Sequence, residues 1–109
     1  MSIQVIVNQV GPLPITASFN APGDEPMYLE VNGSVWSQLT DVLIGIVVAL
    51  DGTVIGYAQL WSNLSGTHRA MVPAYIQVQL SQGEHTLTLS AASNTVSDEN
   101  DIYTAVLHF

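Results

Sequence analysis

The dipeptide Asp51-Gly52 stands between two apolar runs, Val42 to Leu50 and Thr53 to Trp61. Asp-Gly readily takes the positive-φ two-residue turn whose twist matches that of paired strands, so this arrangement is a β-hairpin signal. The first arm is almost continuously apolar, through Val42, Leu43, Ile44, Ile46, Val47, Val48, Ala49 and Leu50. A strand with one wet face would alternate. This one reads as central in a sheet or as lying at an oligomer interface.

The same grammar recurs along the chain. Runs rich in Val, Ile, Leu, Thr and Tyr alternate in and out, and Gly, Pro, Asn and Asp separate them. The alternation rule yields about eight candidate strands. They are Ile3 to Gln9, Ile15 to Phe19, Met27 to Val31, the two hairpin arms, a stretch from His68 to Leu80 interrupted at Pro73, His85 to Ala91, and Ile102 to Phe109. Ile3, Val5 and Val7 share one face of the first. Asn32-Gly33 is read as a turn or bulge after the third. His85 has the inward parity of Leu87 and Leu89, as a hydrogen-bonded histidine near a sandwich end would. No amphipathic helix is visible, and residues 35–41 could form at most one helical turn.

The fold expected is therefore all-β, an antiparallel two-sheet sandwich of jelly-roll type, with a seven-stranded immunoglobulin-like topology as the alternative. The 109 residues suit one domain spanning 1–109. Hydrophobic residues make up 48% and charged residues only 9%, far below the usual share of about 25%. So little charge leaves apolar surface to be covered, which points to a homo-oligomer or another partner.

The formal net charge is −8, with Arg69 the sole basic side chain besides the histidines. Binding nucleic acid needs several cations to displace counterions, so that class is excluded. An anionic membrane surface is disfavoured on the same ground. The longest apolar run is too short for the ~20 residues of a membrane helix. The start, Met-Ser-Ile-Gln-Val-Ile-Val-Asn, has neither the basic region nor the long apolar stretch of a secretory signal. There is no cysteine, which removes disulfides and thiolate chemistry.

From Leu50 onward the chain has a specific cadence. Asp51-Gly52-Thr53 leads to an apolar strand, then Ser65-Gly66-Thr67-His68-Arg69, then Gly83-Glu84-His85-Thr86-Leu87-Thr88-Leu89. Asp98 and Asn100-Asp101 precede a final alternating strand. This resembles the small C-terminal domains of bacterial and phage fibre or collagen-like proteins, which are similar to the tumour-necrosis-factor and C1q jelly rolls. The resemblance implies a jelly roll and a trimer. It carries over no binding residues, and the Gly-x-y repeat of collagen-like chains does not occur in this sequence.

Few constellations suggest chemistry. Gly-x-Ser-x-Gly is absent, and Ser65-Gly66-Thr67-His68 puts a hydroxyl near a histidine only as a turn would. His68, His85 and His108 lack the spacing of zinc ligands. The run Asp98-Glu99-Asn100-Asp101 could offer oxygen ligands to calcium from Asp98, Asn100 and Asp101, with Asp24-Glu25 joining if the loops meet. Its alternative is a solvated loop with Asx turns. Otherwise no cofactor is implied. Asn63-Leu64-Ser65 and Asn32-Gly33-Ser34 match the glycosylation sequon without a secretory context.

Aromatic faces stack on the C–H surfaces of sugars, and amides hydrogen-bond their hydroxyls. Trp61 and Asn63 at a strand-to-loop junction, with Thr67, His68 and Arg69 beside them and Trp36 as a second aromatic, are therefore the candidate ligand-binding residues. The competing reading packs both tryptophans in the core or an interface. Arg69 has an obvious partner in a carboxylate, within the chain or across an interface. The function expected is a non-catalytic, oligomeric, lectin-like module for a neutral glycan. The alternative is an assembly domain whose apolar surface serves only oligomerisation.

Overall fold

A computed structural model describes residues 1–109. Nine strands and no helix are present: β1 (Ile3–Val10), β2 (Ile15–Ala21), β3 (Met27–Val35), β4 (Val42–Leu50), β5 (Thr53–Ser62), β6 (Arg69–Ala70), β7 (Ala74–Val78), β8 (Gly83–Ala91) and β9 (Ile102–His108). One sheet runs β1-β9-β3, with β6 and β7 both on the far side of β3; the other runs β2-β8-β4-β5. Every pairing is antiparallel. The chain changes sheet at every connection except the β4–β5 hairpin and the β6–β7 break, which is the jelly-roll topology. β6 and β7 are one strand position interrupted by Pro73, because proline cannot donate to the ladder.

The inner faces interdigitate in one core. Leu29, Val31, Val35, Tyr103, Ala105 and Leu107 come from one sheet; Ile44, Ile46, Val48, Leu87 and Leu89 come from the other. The alternation of β8 and β9 is as read from sequence. β4 is central, between β8 and β5. Its even-numbered side is buried, while Leu43 and Val47 look outward onto a surface that no second layer covers.

Two readings are corrected. In β1 the register shifts between Val5 and Val7, which leaves Ile6 unpaired as a bulge. A bulge adds one residue and reverses parity. Val7 is therefore buried, whereas Ile3 and Val5 are exposed. Asn32-Gly33 is no turn: β3 runs straight through it. Glycine is needed there because a Cβ on Gly33 would come within 2.5 Å of the Tyr103 ring, whose other edge lies against Gly11.

Four connections, residues 11–14, 36–41, 63–68 and 92–101, meet at one end of the sandwich. Their cross-links place them there: Leu13 N–H donates to Ser97 Oγ (2.9 Å), the Ser37 hydroxyl to the Asn94 carbonyl (2.7 Å), and Gly66 N–H to the Ser37 carbonyl (2.7 Å). The β2–β3, β4–β5 and β7–β8 connections lie at the other end with both termini. There Gln79 bonds the Asp24 carbonyl and His85 bonds Asp51.

Candidate functional site

Two places near the loop-rich end concentrate chemistry, and they lie on different sheets. The first is an open groove of about 670 Å³ on the outer face of the four-stranded sheet. Its floor is β4, through Leu43 and Val47. One wall is the edge strand β5, whose outward residues Tyr57, Gln59 and Trp61 stand opposite Val47, Gly45 and Leu43. The other wall is Ala92, Ser93 and Asn94. This segment takes over where β8 stops pairing with β4: Ala92 N–H donates to the Gly45 carbonyl (2.9 Å) and Gly45 N–H to Thr95 Oγ1 (3.0 Å). Asp41 closes one end.

Trp61 is 57% exposed and Tyr57 is 52% exposed. Four residues apart on one face of a strand, they stand roughly 13 Å apart along the groove. Between and across from them are the polar ends of Gln59, Ser93, Asn94 and Asp41. Gly45, opposite Gln59, lets β4 and β5 approach closely beneath the groove: a Cβ there would overlap the Ala58 carbonyl and crowd Gln59.

The second place is a knot centred on Asp101, which is fully buried. Its Oδ1 accepts from the Ser34 hydroxyl (2.7 Å) and from His68 Nδ1 (2.7 Å), and its Oδ2 accepts from Asp98 N–H (2.9 Å). Its backbone carbonyl accepts from Gly11 N–H (2.8 Å). One residue thus fastens β3, the β5–β6 loop, its own loop and the β1–β2 turn. His68 Nε2 lies 3.6 Å from Asp98 Oδ2, and its ring lies 5.7 Å from that of Trp36. The hydrogen bond to Asp101 raises the His68 pKa above its ordinary value. Ser34 bonds the same carboxylate oxygen as His68 and not an imidazole nitrogen, so this is not the relay that activates a nucleophilic serine.

Ligand atoms of His68, Asp98 and Asp101 lie within 4.8 Å of one another, a donor set that could hold a metal ion. Relative to the sequence reading, His68 replaces Asn100. Asn100 uses its backbone N–H to cap Asp98 Oδ1 at 2.8 Å, an Asx turn. Asp24 and Glu25 sit at the opposite end and do not join.

The residues grouped around Trp61 in sequence separate in space. Trp61 faces the groove. Trp36 and His68 belong to the knot. Arg69 has no carboxylate partner in the chain: its guanidinium donates to Asn63 Oδ1 at 3.1 Å, which ties the two ends of the β5–β6 connection. Thr67 is exposed in that loop. Tyr57, Gln59, Ser93 and Asn94 were not singled out from sequence. The alternation Tyr57-Ala58-Gln59-Leu60-Trp61, with Ala58 and Leu60 inward, carried the signal for the first two.

No protein-family model and no curated protein matches the chain. Solved structures do. The C-terminal domain of EclA, described as a sugar-binding protein, superposes with a TM-score of 0.51 at 13% identity over 89% of this chain. The chain spans 65% of that structure's length. A carbohydrate-binding module, CBM36, in complex with calcium and xylotriose, aligns over 100% of this chain and 99% of its own, with a TM-score of 0.47 at 10% identity. The first of these establishes a shared β-sandwich fold.

Proposed function

We propose that this protein is a non-catalytic carbohydrate-binding module and that the groove on the four-stranded sheet is its glycan site. The observation that carries the reading is the pair Trp61 and Tyr57. Both are more than half exposed, on one face of one strand, over a floor of Leu43 and Val47 and between polar rims. Two exposed aromatics on one face of one strand make a platform that a flat ligand can cover. A sugar ring covers them with C–H groups while its hydroxyls meet Gln59, Asn94, Ser93 and Asp41. The sugar-binding description of the EclA domain, which shares the fold, agrees with this. The acidic, lysine-free surface favours a neutral glycan over an anionic one.

A divalent cation such as calcium at His68, Asp98 and Asp101 is a companion proposal, resting on their mutual distances. The groove does not depend on it. Trp36 and His68 then serve to shape the loop end and not to touch the glycan.

The test is a glycan array followed by calorimetry on wild type, Trp61→Ala and Tyr57→Ala. Saturable binding to neutral glycans, weakened at least tenfold by each substitution with the fold intact, supports the reading. Binding that survives both substitutions removes the groove. No binding across the array favours the assembly-domain alternative.

A further inference from the structure

The opposite side of the sandwich has a different character. On the outer face of the five-stranded sheet a polar row, Asn8, Thr104 and Asn32, runs between apolar residues: Ile3, Val5 and Val10 from β1, Ile102 and Val106 from β9, Tyr28 from β3 and Tyr75 from β7. All of these apolar residues except Val106 are more than half exposed. The sole acid among these outward strand residues is Glu30, and it is bonded to His108 Nε2 at 2.8 Å. The remaining acids lie elsewhere. Asp24, Glu25, Asp51 and Glu84 are at the terminal end, and Asp41, Asp98, Glu99 and Asp101 are at the loop-rich end. A chain of net charge −8 has thus kept one broad surface with a single carboxylate on it.

We infer that this face docks a second copy of the chain, sheet against sheet, about a two-fold axis. Charge distribution permits that occupant. Eight of the nine carboxylates lie at the two ends, so two copies meeting through this face hold most of their like charges apart, and Glu30 is hydrogen-bonded to His108. Size agrees. β1, β9 and β3 are eight, seven and nine residues long. With β7 the face covers on the order of 500 Å² in plan and more as accessible surface, near the ~800 Å² per partner of a specific interface. The sheet also blocks the competing mode. The Ile6 bulge twists the β1 edge, and Pro73 splits the β6–β7 edge, so edge-to-edge pairing is discouraged while the face stays open.

If the groove binds glycan as proposed, such a dimer carries its two grooves on opposite outer surfaces, four sheet layers and roughly 30 Å apart. It would bridge two glycan chains and could not hold one surface twice. That consequence rests on the glycan reading; the dimer does not.

Light scattering on the full chain at about 50 µM tests the dimer without any sugar. The expected mass is about 23 kDa, twice that of the 11.7 kDa chain. Val5→Glu and Tyr75→Glu, both at exposed positions, should each raise the dimer dissociation constant at least tenfold and return the mass to one chain, with unchanged circular dichroism. Trp61→Ala should stay dimeric. A wild-type monomer, a three-chain mass, or a dimer that persists in both charged variants overturns the inference. Loss of glycan binding with an intact dimer would instead strike the groove alone.

Discussion

His85 Nδ1 donates to Asp51 Oδ2 at 2.6 Å, and its Nε2 donates to the Ser81 carbonyl at 2.6 Å. Neither acceptor can supply a proton, so both bonds form only when the imidazole is charged. The Asp51 carboxylate, with the Ser81 carbonyl, raises the His85 pKa. His85 and the Thr86 N–H in turn lower that of Asp51. The raised histidine contributes stability that is complete below about pH 6.5 and is lost as pH climbs through its folded value. The lowered aspartate contributes stability that is complete above about pH 3.9 and is lost as pH falls through its folded value. The pair is therefore strongest between about pH 4 and 6.5. Asp51→Asn keeps the turn and an acceptor but not the charge. Asp51 is half exposed, so solvent screening limits the effect. The variant should melt about 2–5 °C lower near pH 5.5, with the gap closing toward pH 9. A gap that is flat with pH would remove the titrating pair.

Asp101→Ala strips three donors of their acceptor at once: the Ser34 hydroxyl, His68 Nδ1 and the Asp98 N–H. An unpaired donor that water cannot reach costs about 1–3 kcal/mol; these three are only partly buried, so water and loop relaxation recover part of it. A loss of about 2 kcal/mol in urea unfolding is expected. Calcium or zinc titrated into wild type should raise the melting temperature if the cluster takes a cation. An unchanged melt up to millimolar metal would leave the knot to hydrogen bonds alone.

Gly45→Ala tests how tightly β4 and β5 approach under the groove. The added methyl would overlap the Ala58 carbonyl, which is backbone and cannot swing aside. Separating the two strands there costs about 1–3 kcal/mol. It also disturbs the strand pair that carries Trp61 and Tyr57, so glycan affinity should fall with stability. An alanine variant as stable as wild type would show that the strands have room to spare.

The strands were legible wherever one rule governed them. Alternation placed Leu87, Leu89 and His85 inward, and Asp51-Gly52 located the hairpin, because periodicity and turn chemistry are local properties. Val7 and Gly33 depart from the local pattern because their settings are not local. One depends on a bulge defined by the partner strand, the other on a tyrosine seventy residues away. The site divides in the same manner. Trp61 stood out by its residue type. The facing wall, Ala92 to Asn94, comes from a distant segment that reaches β4 only through the sheet. Arg69 looked destined for a carboxylate because charge pairing is the usual rule. The fold puts Asn63 within its reach instead.

Tyr103 gives a prediction of opposite sign to the others. Its ring is fully buried between Gly11 and Gly33, and its hydroxyl has no hydrogen-bond partner. Burial pushes its pKa up to about 12, and the nearby Ser97 hydroxyl, which accepts from the Leu13 N–H and keeps its own proton, pulls the other way from outside good hydrogen-bond geometry. An unpaired buried hydroxyl has lost its water and gained nothing in exchange, at a cost of about 1–3 kcal/mol. Tyr103→Phe keeps the ring that fills the space and deletes only that oxygen. The variant should therefore be more stable by about 1 kcal/mol in urea unfolding, with the slope unchanged. A Phe variant that is less stable than wild type would mean that the hydroxyl has a partner in solution, such as a bound water or Ser97 after a rotamer change.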